Sequence, residues 1–198
     1  MSLAGVFICA VSVGIFKIAA FGVDPFQSLM AGLDNLIPIP FGTLYVLVNL
    51  VLLVFSLVAD RRNIGIATFI NLFLLGYITQ FTYELLQGWL PDPSILVRSL
   101  CLLAGIVIIC FGSSLYMTAN LGVSTYDAIA LFLGNKKKIA PFKFVRITTD
   151  LICVGLGFVM GCMPGVGTII TAFFMGPLIE FFNRTIAEPL RYGKRKAA

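Results

Sequence analysis

Histidine is absent from this chain of 198 residues, so the chain lacks a side chain on which many enzymes depend. Histidine is the commonest general base and a frequent metal ligand. The chain also lacks a phosphate-binding loop, a nucleophile elbow and a zinc-binding helix motif. Its five cysteines are scattered without Cys-x-x-Cys spacing, and we interpret them as small packing residues. The sequence therefore predicts a protein that is not an enzyme and needs no cofactor or metal ion.

Charged residues are scarce as well, and apolar side chains take their place. Charged residues make up 12% of the chain, hydrophobic residues 59%, and the mean hydropathy is +1.01. These values are typical of a polytopic protein of the lipid bilayer rather than of a soluble domain. A helix of about 20 apolar residues crosses the bilayer core. We predict six such spans, at residues 2–21, 41–59, 64–87, 95–118, 142–161 and 164–187.

Lysine and arginine are missing from three of the loops between these spans, at residues 22–40, 88–94 and 162–163. Basic residues favour the cytoplasmic side of a membrane, so these loops are predicted to lie outside and both termini inside. The residues assigned to the cytoplasmic side are Arg61, Arg62, Lys136, Lys137, Lys138, Lys143, Arg191, Lys194, Arg195 and Lys196. The net charge of +5 is then explained by topology, and no nucleic-acid partner is expected.

The chain repeats itself with an offset of 100 residues over most of its length. Coincident glycines are the clearest sign, at positions 5 and 105, 22 and 122, 65 and 165, and 76 and 176. A one-residue insertion aligns Pro40 with Pro141. Each copy contains three predicted spans, so the second copy enters the membrane from the opposite side. Such inverted repeats recur in secondary transporters, where they surround a shared central site.

This duplication defines the predicted fold class. We expect an all-α membrane protein with six transmembrane helices in two inverted three-helix repeats, each with an extra short helix. The predicted divisions are a first membrane repeat (1–87), an external linker (88–100), a second membrane repeat (101–187) and a basic cytoplasmic tail (188–198).

The second span of each copy carries a polar residue near its middle, Asn49 in the first copy and Asp150 in the second. An ionisable group at that depth is costly, so Asp150 is predicted to be functional. Arg146 precedes it by four residues on the same helix face. It either pairs with Asp150 or extends to the cytoplasmic surface, which leaves the carboxylate free for a cation or a proton. Asn49 fits an interhelical hydrogen bond as well as a binding site.

Each copy also contains a segment too short to span, at residues 24–36 and 124–134. Both begin with helix-capping residues, Asp24 before Pro25, and Ser124 with Asp127 three residues later. Short helices of this kind lie flat at the interface or dip into the protein. In the first case Asp24 and Asp127 are only caps and Gln27 faces water. In the second case all three side chains lie at the mouths of a central cavity.

Glu180 is a second-tier candidate, as is Arg146. Glu180 follows the Gly176-Pro177 pair in the last span, and a proline inside a helix frees a backbone carbonyl. The position is also close to the cytoplasmic end of the span, where a carboxylate is solvated.

Two motifs carry a resemblance to a known family. Residues 22–27 are Gly-Val-Asp-Pro-Phe-Gln and residues 122–128 are Gly-Val-Ser-Thr-Tyr-Asp-Ala, each followed by a later Gly-x-x-Thr. Over nearly its whole length the chain resembles the bacterial YczE/YyaS/YitT membrane proteins, and the YczE branch most. It departs from that family's Gly-x-x-Pro-x-Asp pattern, because Gln27 replaces the first Asp and Thr125 the second Pro. The resemblance implies a bacterial plasma membrane, and it leaves open a start upstream of Met1.

Together these features predict a small-solute permease that works by alternating access. The two halves would rock about a midplane site, with Asp150 carrying or sensing a cation or proton and Asn49, Thr149 and Asp127 coordinating the solute. The alternative is a non-catalytic membrane subunit that captures a ligand for, or scaffolds, a larger complex. A channel or lipid-moving protein is a third interpretation. A homodimer is compatible with the size of the chain, although nothing in the sequence requires one.

Overall fold

Every regular element of the described chain is helical. The computed structural model describes residues 1–22, 24–39, 41–59, 64–136 and 141–193. The helices are α1 (Ser2–Ala19), α2 (Pro25–Leu36), α3 (Phe41–Ala59), α4 (Ile66–Trp89), α5 (Ile95–Thr118), α6 (Thr125–Leu131), α7 (Phe142–Val159), α8 (Val166–Phe182) and α9 (Glu188–Tyr192). Two π-helical segments, Phe132–Lys136 and Asn183–Ala187, extend α6 and α8. The predicted all-α class is confirmed for this part of the chain.

Within the described residues, three helical segments are long and apolar enough to cross a membrane: α1, α5 and the continuous segment Val166–Tyr192. A fourth is added if the two parts of α4, which meet at an angle of 42° between Leu72 and Tyr77, form one span. Helix α7 has 18 residues but carries Lys143, Arg146 and Asp150. The apolar part found within α3 is shorter, Val46–Val58. Each of the six predicted spans coincides with a helix, while the count of six remains a prediction.

Several residues used in the sequence predictions lie outside the described ranges. They are Val23 and Pro40 of the repeat alignment, Arg61, Arg62, Lys137 and Lys138 of the basic loops, and Lys194, Arg195 and Lys196 of the tail. The structure therefore does not describe most of the basic residues from which the orientation of the chain is predicted.

The two short helices begin as their sequences predict. The Asp24 carboxylate accepts hydrogen bonds from the backbone N–H groups of Phe26 and Gln27, at 3.1 and 3.2 Å, and Pro25 occupies the first turn of α2. The Ser124 hydroxyl accepts one from the N–H of Asp127 at 3.1 Å. These caps satisfy N–H groups that the first turn of a helix leaves without partners.

The helices pack into two sets. In the first set, α1 lies between α4 and α5, and α8 packs on α5. In the second set, α2 packs on α7, α3 packs on α6, and α6 also contacts α7. The two sets meet mainly where α7 packs against α8. Each set thus combines two helices that end by residue 89 with two that begin at residue 95 or later.

Contacts within the first set occur in pairs that are related by the 100-residue offset. Gly5 of α1 packs so closely on α5 that an added Cβ would lie 2.7 Å from the carbonyl oxygen of Gly112. At the equivalent place, the Ser12 hydroxyl of α1 donates a hydrogen bond to the carbonyl oxygen of Gly105 in α5, at 2.7 Å. Positions 5 and 12 of one helix therefore meet positions 112 and 105 of the other.

The loops that follow α1 and α5 form the same paired arrangement. Ala20 and Asn120 both adopt a positive φ, 50° and 58°, and so do Gly22 and Gly122, at 121° and 106°. The carbonyl oxygen of the residue before each glycine accepts a hydrogen bond from the start of a helix in the other half. Phe21 accepts from Gly167 at 2.9 Å, and Leu121 accepts from Ala67 at 3.0 Å.

Apolar side chains cover the outside of the helices as well as their interior. Val58, Val159 and Tyr77 are 85%, 83% and 79% exposed, and they belong to three different helices. A buried cluster that includes Val6, Ile106 and Ile179 holds the first set together. A surface this apolar is typical of a protein whose helices contact lipid.

Candidate functional site

A cavity of about 110 Å³ lies between the two helix sets. An apolar cavity of about 150 Å³ in another protein holds one benzene molecule, so this space fits a molecule of a few non-hydrogen atoms. The first set contributes mostly apolar or weakly polar walls from α1, α4, α5 and α8. The charged and amide side chains come mainly from the second set, and they are Asp24, Gln27, Asn49, Asp127 and Arg146.

Arg146 is the centre of the charged network. Its side chain is 8% exposed. One guanidinium nitrogen, Nε, donates to Asp150 Oδ2 at 3.2 Å, and another forms an ion pair with Asp127. The guanidinium also lies over the ring of Tyr126, 4.6 Å from its centre. Arg146 therefore turns into the protein and pairs with Asp150, which is the first of the two alternatives left open by the sequence.

Asp150 is fully buried, with 0% of its surface exposed, and it is not part of the cavity wall. Its two carboxylate oxygens are bound to residues that are. Oδ2 accepts from Arg146, and Oδ1 accepts from the Tyr126 hydroxyl at 2.5 Å. Asp150 thus acts on the cavity by fixing the positions of Arg146 and Tyr126.

Asn49 lines the cavity and also joins two helices. Its Oδ1 accepts a hydrogen bond from the Thr125 hydroxyl at 2.8 Å, and the Ser56 hydroxyl donates to the Thr125 carbonyl at 3.4 Å. These bonds connect α3 with α6. The interhelical role and the site role predicted for Asn49 are therefore compatible.

Asp24, Gln27 and Asn71 line the cavity without belonging to the ion-pair network. Desolvation, and to a lesser degree the nearby Asp150 carboxylate, raise the pKa of Asp24 to about 6. Only Oδ1 of Asp24 accepts the two helix-capping bonds. Among the described residues, the side-chain amides of Gln27 and Asn71 have no hydrogen-bond partner. These groups are available to a solute in the cavity.

Two of the predicted site residues lie apart from the cavity. The Thr149 hydroxyl donates to the carbonyl oxygen of Arg146 in its own helix, at 2.9 Å. Glu180 pairs with Arg184 at 2.7 Å, and the side chain of Arg184 is 74% exposed. The structure therefore brings Asp24, Gln27, Asn49, Asp127 and Arg146 together, with Asp150 directly behind them, and leaves Thr149 and Glu180 out.

Among the cavity residues that the predicted site did not include are Phe26, Tyr126 and Asn71. The rings of Phe26 and Tyr126 stack with centres 5.3 Å apart. They occupy the same place in the repeated motif, where a two-fold relation between the copies would make them meet. The repeated motif in the sequence could therefore have indicated that these two rings meet. Nothing in the sequence distinguishes Asn71 as a site residue, because a single amide in an apolar helix is common.

Comparison with known proteins assigns the chain to a family. The model of the family of unknown function DUF6198 matches residues 1–184. The chain belongs to this family. DUF6198 is described only as a family of unknown function, so membership does not specify a substrate.

Three relatives extend the comparison. An uncharacterised protein of Haemophilus influenzae is 26% identical over 127 residues, 64% of this chain and 56% of that protein. The uncharacterised protein YyaS of Bacillus subtilis is 22% identical over 178 residues, 90% of this chain and 88% of YyaS. The uncharacterised membrane protein YczE of the same organism is 26% identical over 98% of this chain and 90% of YczE. The predicted resemblance to YyaS and YczE is confirmed.

No solved structure matches the chain. The name of YczE and the apolar helices together identify this DUF6198 protein as a membrane protein.

Proposed function

We propose that this protein is a small-solute permease that binds its solute in the cavity between the two helix sets. The observation that carries the proposal is the cavity itself. It holds charged and amide side chains at the junction of two packed units, within a chain whose outer surface is apolar. Buried polar groups of this kind are costly in a membrane protein and mark solute or ion pathways.

The paired contacts support an inverted repeat of six spans, and we propose that it lies in the bacterial plasma membrane. The contacts of Gly5 and Ser12 with α5 are exchanged by a two-fold relation, and so are the two loop hydrogen bonds. A three-span copy repeated in the opposite orientation produces this relation. Transporters built in this way bind their solutes near the bilayer midplane, between the repeats.

The moving units in this proposal are the two helix sets, and not the two halves of the sequence. Each half contributes helices to both sets, and the packing of α1 on α5, which joins the halves, is more extensive than that of α7 on α8, which joins the sets. The second set carries Asp127 and Arg146, whereas the first set forms the opposite wall. Rocking of the second set on the first would open the cavity to either side in turn. Asp150 keeps Arg146 in place during this motion.

Uptake into proteoliposomes tests the proposal. Liposomes with the purified protein are mixed with small neutral, anionic and cationic solutes, and volume changes are followed by light scattering. At least one solute should equilibrate faster than in protein-free liposomes and should saturate. Leu75→Trp should abolish this uptake because Leu75 lines the cavity.

Leu74→Trp is the matched control. Leu74 is the neighbouring residue of the same helix and is 46% exposed, so a larger side chain there points away from the cavity. Equal loss in both variants, or no uptake of any solute, would contradict the permease. Saturable binding without uptake would instead favour the membrane-subunit alternative, and co-purification with an ATPase would then identify the complex.

A further inference from the structure

The cavity region carries an excess of negative charge. Three carboxylates, Asp24, Asp127 and Asp150, stand against one guanidinium, that of Arg146. Arg146 is already bound to two of these carboxylates. An anionic solute would therefore meet no free positive charge from this network, and it would be repelled by the remaining carboxylate. A monovalent cationic solute would reduce the excess of negative charge from two to one.

Asp24 is the carboxylate that remains for such a solute. Its Oδ1 accepts the N–H groups of Phe26 and Gln27, and its Oδ2 has no hydrogen-bond partner among the described residues. The same cavity presents the amides of Gln27 and Asn71, whose oxygens accept hydrogen bonds. One charged acceptor with two neutral acceptors suits a cation that has several N–H donors.

We propose that the cavity binds a small monovalent organic cation with N–H groups, of the guanidinium or primary ammonium class, through Asp24, Gln27 and Asn71. This inference rests on the proposed function in that it uses the same cavity. The volume of about 110 Å³ admits a molecule of a few non-hydrogen atoms. A divalent metal ion would need several carboxylates at once, and Asp127 and Asp150 are held by Arg146.

The ionisation of Asp24 gives the binding a pH dependence. The pKa of Asp24 is raised to about 6, so the carboxylate gains its charge only as the pH rises through that value. The other charged groups near the cavity are Asp127, Arg146 and Asp150, which hold one another in ion pairs. Cation affinity should therefore increase between about pH 5 and pH 7.

Three planar molecules of similar size and different charge provide the test: guanidinium, urea and acetate. Each is titrated into the purified full-length protein at millimolar concentration and constant ionic strength, and binding is measured by calorimetry and by thermal stabilisation. We expect saturable binding of guanidinium only, with an affinity that rises with pH. Tetramethylammonium, which has no N–H group, should bind more weakly.

Variants on one helix identify the carboxylate. Asp24→Asn should weaken guanidinium binding about tenfold or more, because a hydrogen bond to a charged group is lost. Asp34→Asn is the control, since Asp34 is an exposed residue of the same helix α2. If Asp24→Asn does not fold, Gln27→Leu and the pH profile of the unmodified protein replace it. Gln27→Leu should weaken guanidinium but not alter the pH dependence.

Several results would overturn the inference. They are stronger binding of urea, acetate or Mg²⁺, unchanged guanidinium affinity in the Asp24 and Gln27 variants, or affinity that is flat between pH 5 and pH 7. Uptake of labelled guanidinium into proteoliposomes separates this inference from the permease proposal. Binding of guanidinium without its uptake would support the cation site and contradict the permease proposal. Uptake of urea or acetate, but not of guanidinium, would support the permease proposal and contradict the cation site.

Discussion

Arg146 decides which charges the cavity presents, because it binds Asp127 on α6 and Asp150 on its own helix. Charges buried in this way are tolerated only while they are paired and hydrogen-bonded. Loss of Arg146 would leave both carboxylates without compensation in a site of low polarity. The network therefore has a structural role even before any solute binds.

Asp150→Asn should destabilise the protein by about 1–3 kcal/mol. Arg146 keeps its ion pair with Asp127, but the charged acceptor of two buried hydrogen bonds is lost. The measurement is a thermal melt in detergent, followed with a dye that reacts with cysteines as they become exposed. Cys9, Cys110 and Cys153 are buried in the folded chain and report unfolding.

Glu180→Gln is the matched control for Asp150→Asn. It also removes a carboxylate from an Arg–carboxylate pair four residues apart on one helix, but Arg184 of that pair is 74% exposed. The Glu180 side chain is 22% exposed, but water around Arg184 screens the pair, so we expect a loss of less than about 1 kcal/mol. Similar losses in the two variants would show that burial of the Arg146 network does not determine its contribution.

Some of these residues could be predicted from the sequence and others could not. The caps Asp24 and Ser124 follow from local chemistry, because a helix start needs an acceptor beside it. The direction of Arg146 does not, since a long side chain in a span reaches either the surface or the interior. Asp127 and Tyr126 of α6 hold the guanidinium inside the protein, and those contacts are tertiary.

At the scale of helices, the starts of α4 and α8 depend on glycines that pack against the opposite loop. A Cβ at Gly165 would overlap with the carbonyl oxygen of Phe21, and one at Gly65 would overlap with that of Leu121. These loops also accept the hydrogen bonds that join the two halves. The close approach explains why glycine occurs at both positions of the repeat.

Gly165→Ala should lower the stability by about 1–3 kcal/mol, the usual cost of forcing extra atoms into a packed site. Gly155→Ala is the control, because a Cβ at that position would have no atom of another helix within 4 Å among the described residues. Alanine is favoured over glycine inside a helix, so the control should be neutral or slightly stabilising. Thermal melts of both variants measure the difference, and equal melting temperatures would contradict the close packing.

The helix positions follow from the sequence far better than their grouping does. Apolar length fixes where a span begins and ends, and each predicted span coincides with a helix. The duplication suggested that the two halves would be the packing units. Packing of α1 on α5 and of α2 on α7 instead mixes the halves. Small residues on those helix faces, such as Gly32 and Gly157, allow this close packing. Their presence in the sequence does not specify which helices pack together.

At the scale of the whole molecule, the inverted repeat makes a prediction about topology. Residues 92 and 163 follow the third and the fifth predicted spans, so they should lie on the same, outer side of the membrane. Residue 192 follows the sixth span and should lie inside. Single cysteines in a background without the five native ones test this, at Asp92→Cys, Met163→Cys and Tyr192→Cys.

A maleimide that does not cross membranes should label the first two variants in intact cells and the third only after lysis. The labelling is informative because Met163 and Tyr192 are 86% and 51% exposed, so lack of reaction reflects the membrane and not burial in the protein. If only α1, α4, α5 and the segment from Val166 crossed the bilayer, residues 92 and 163 would lie on opposite sides. Labelling of both from the same side therefore requires α7 to cross as well as α5. Helix α7 can do so despite three charged residues only because Arg146 and Asp150 neutralise each other inside the protein.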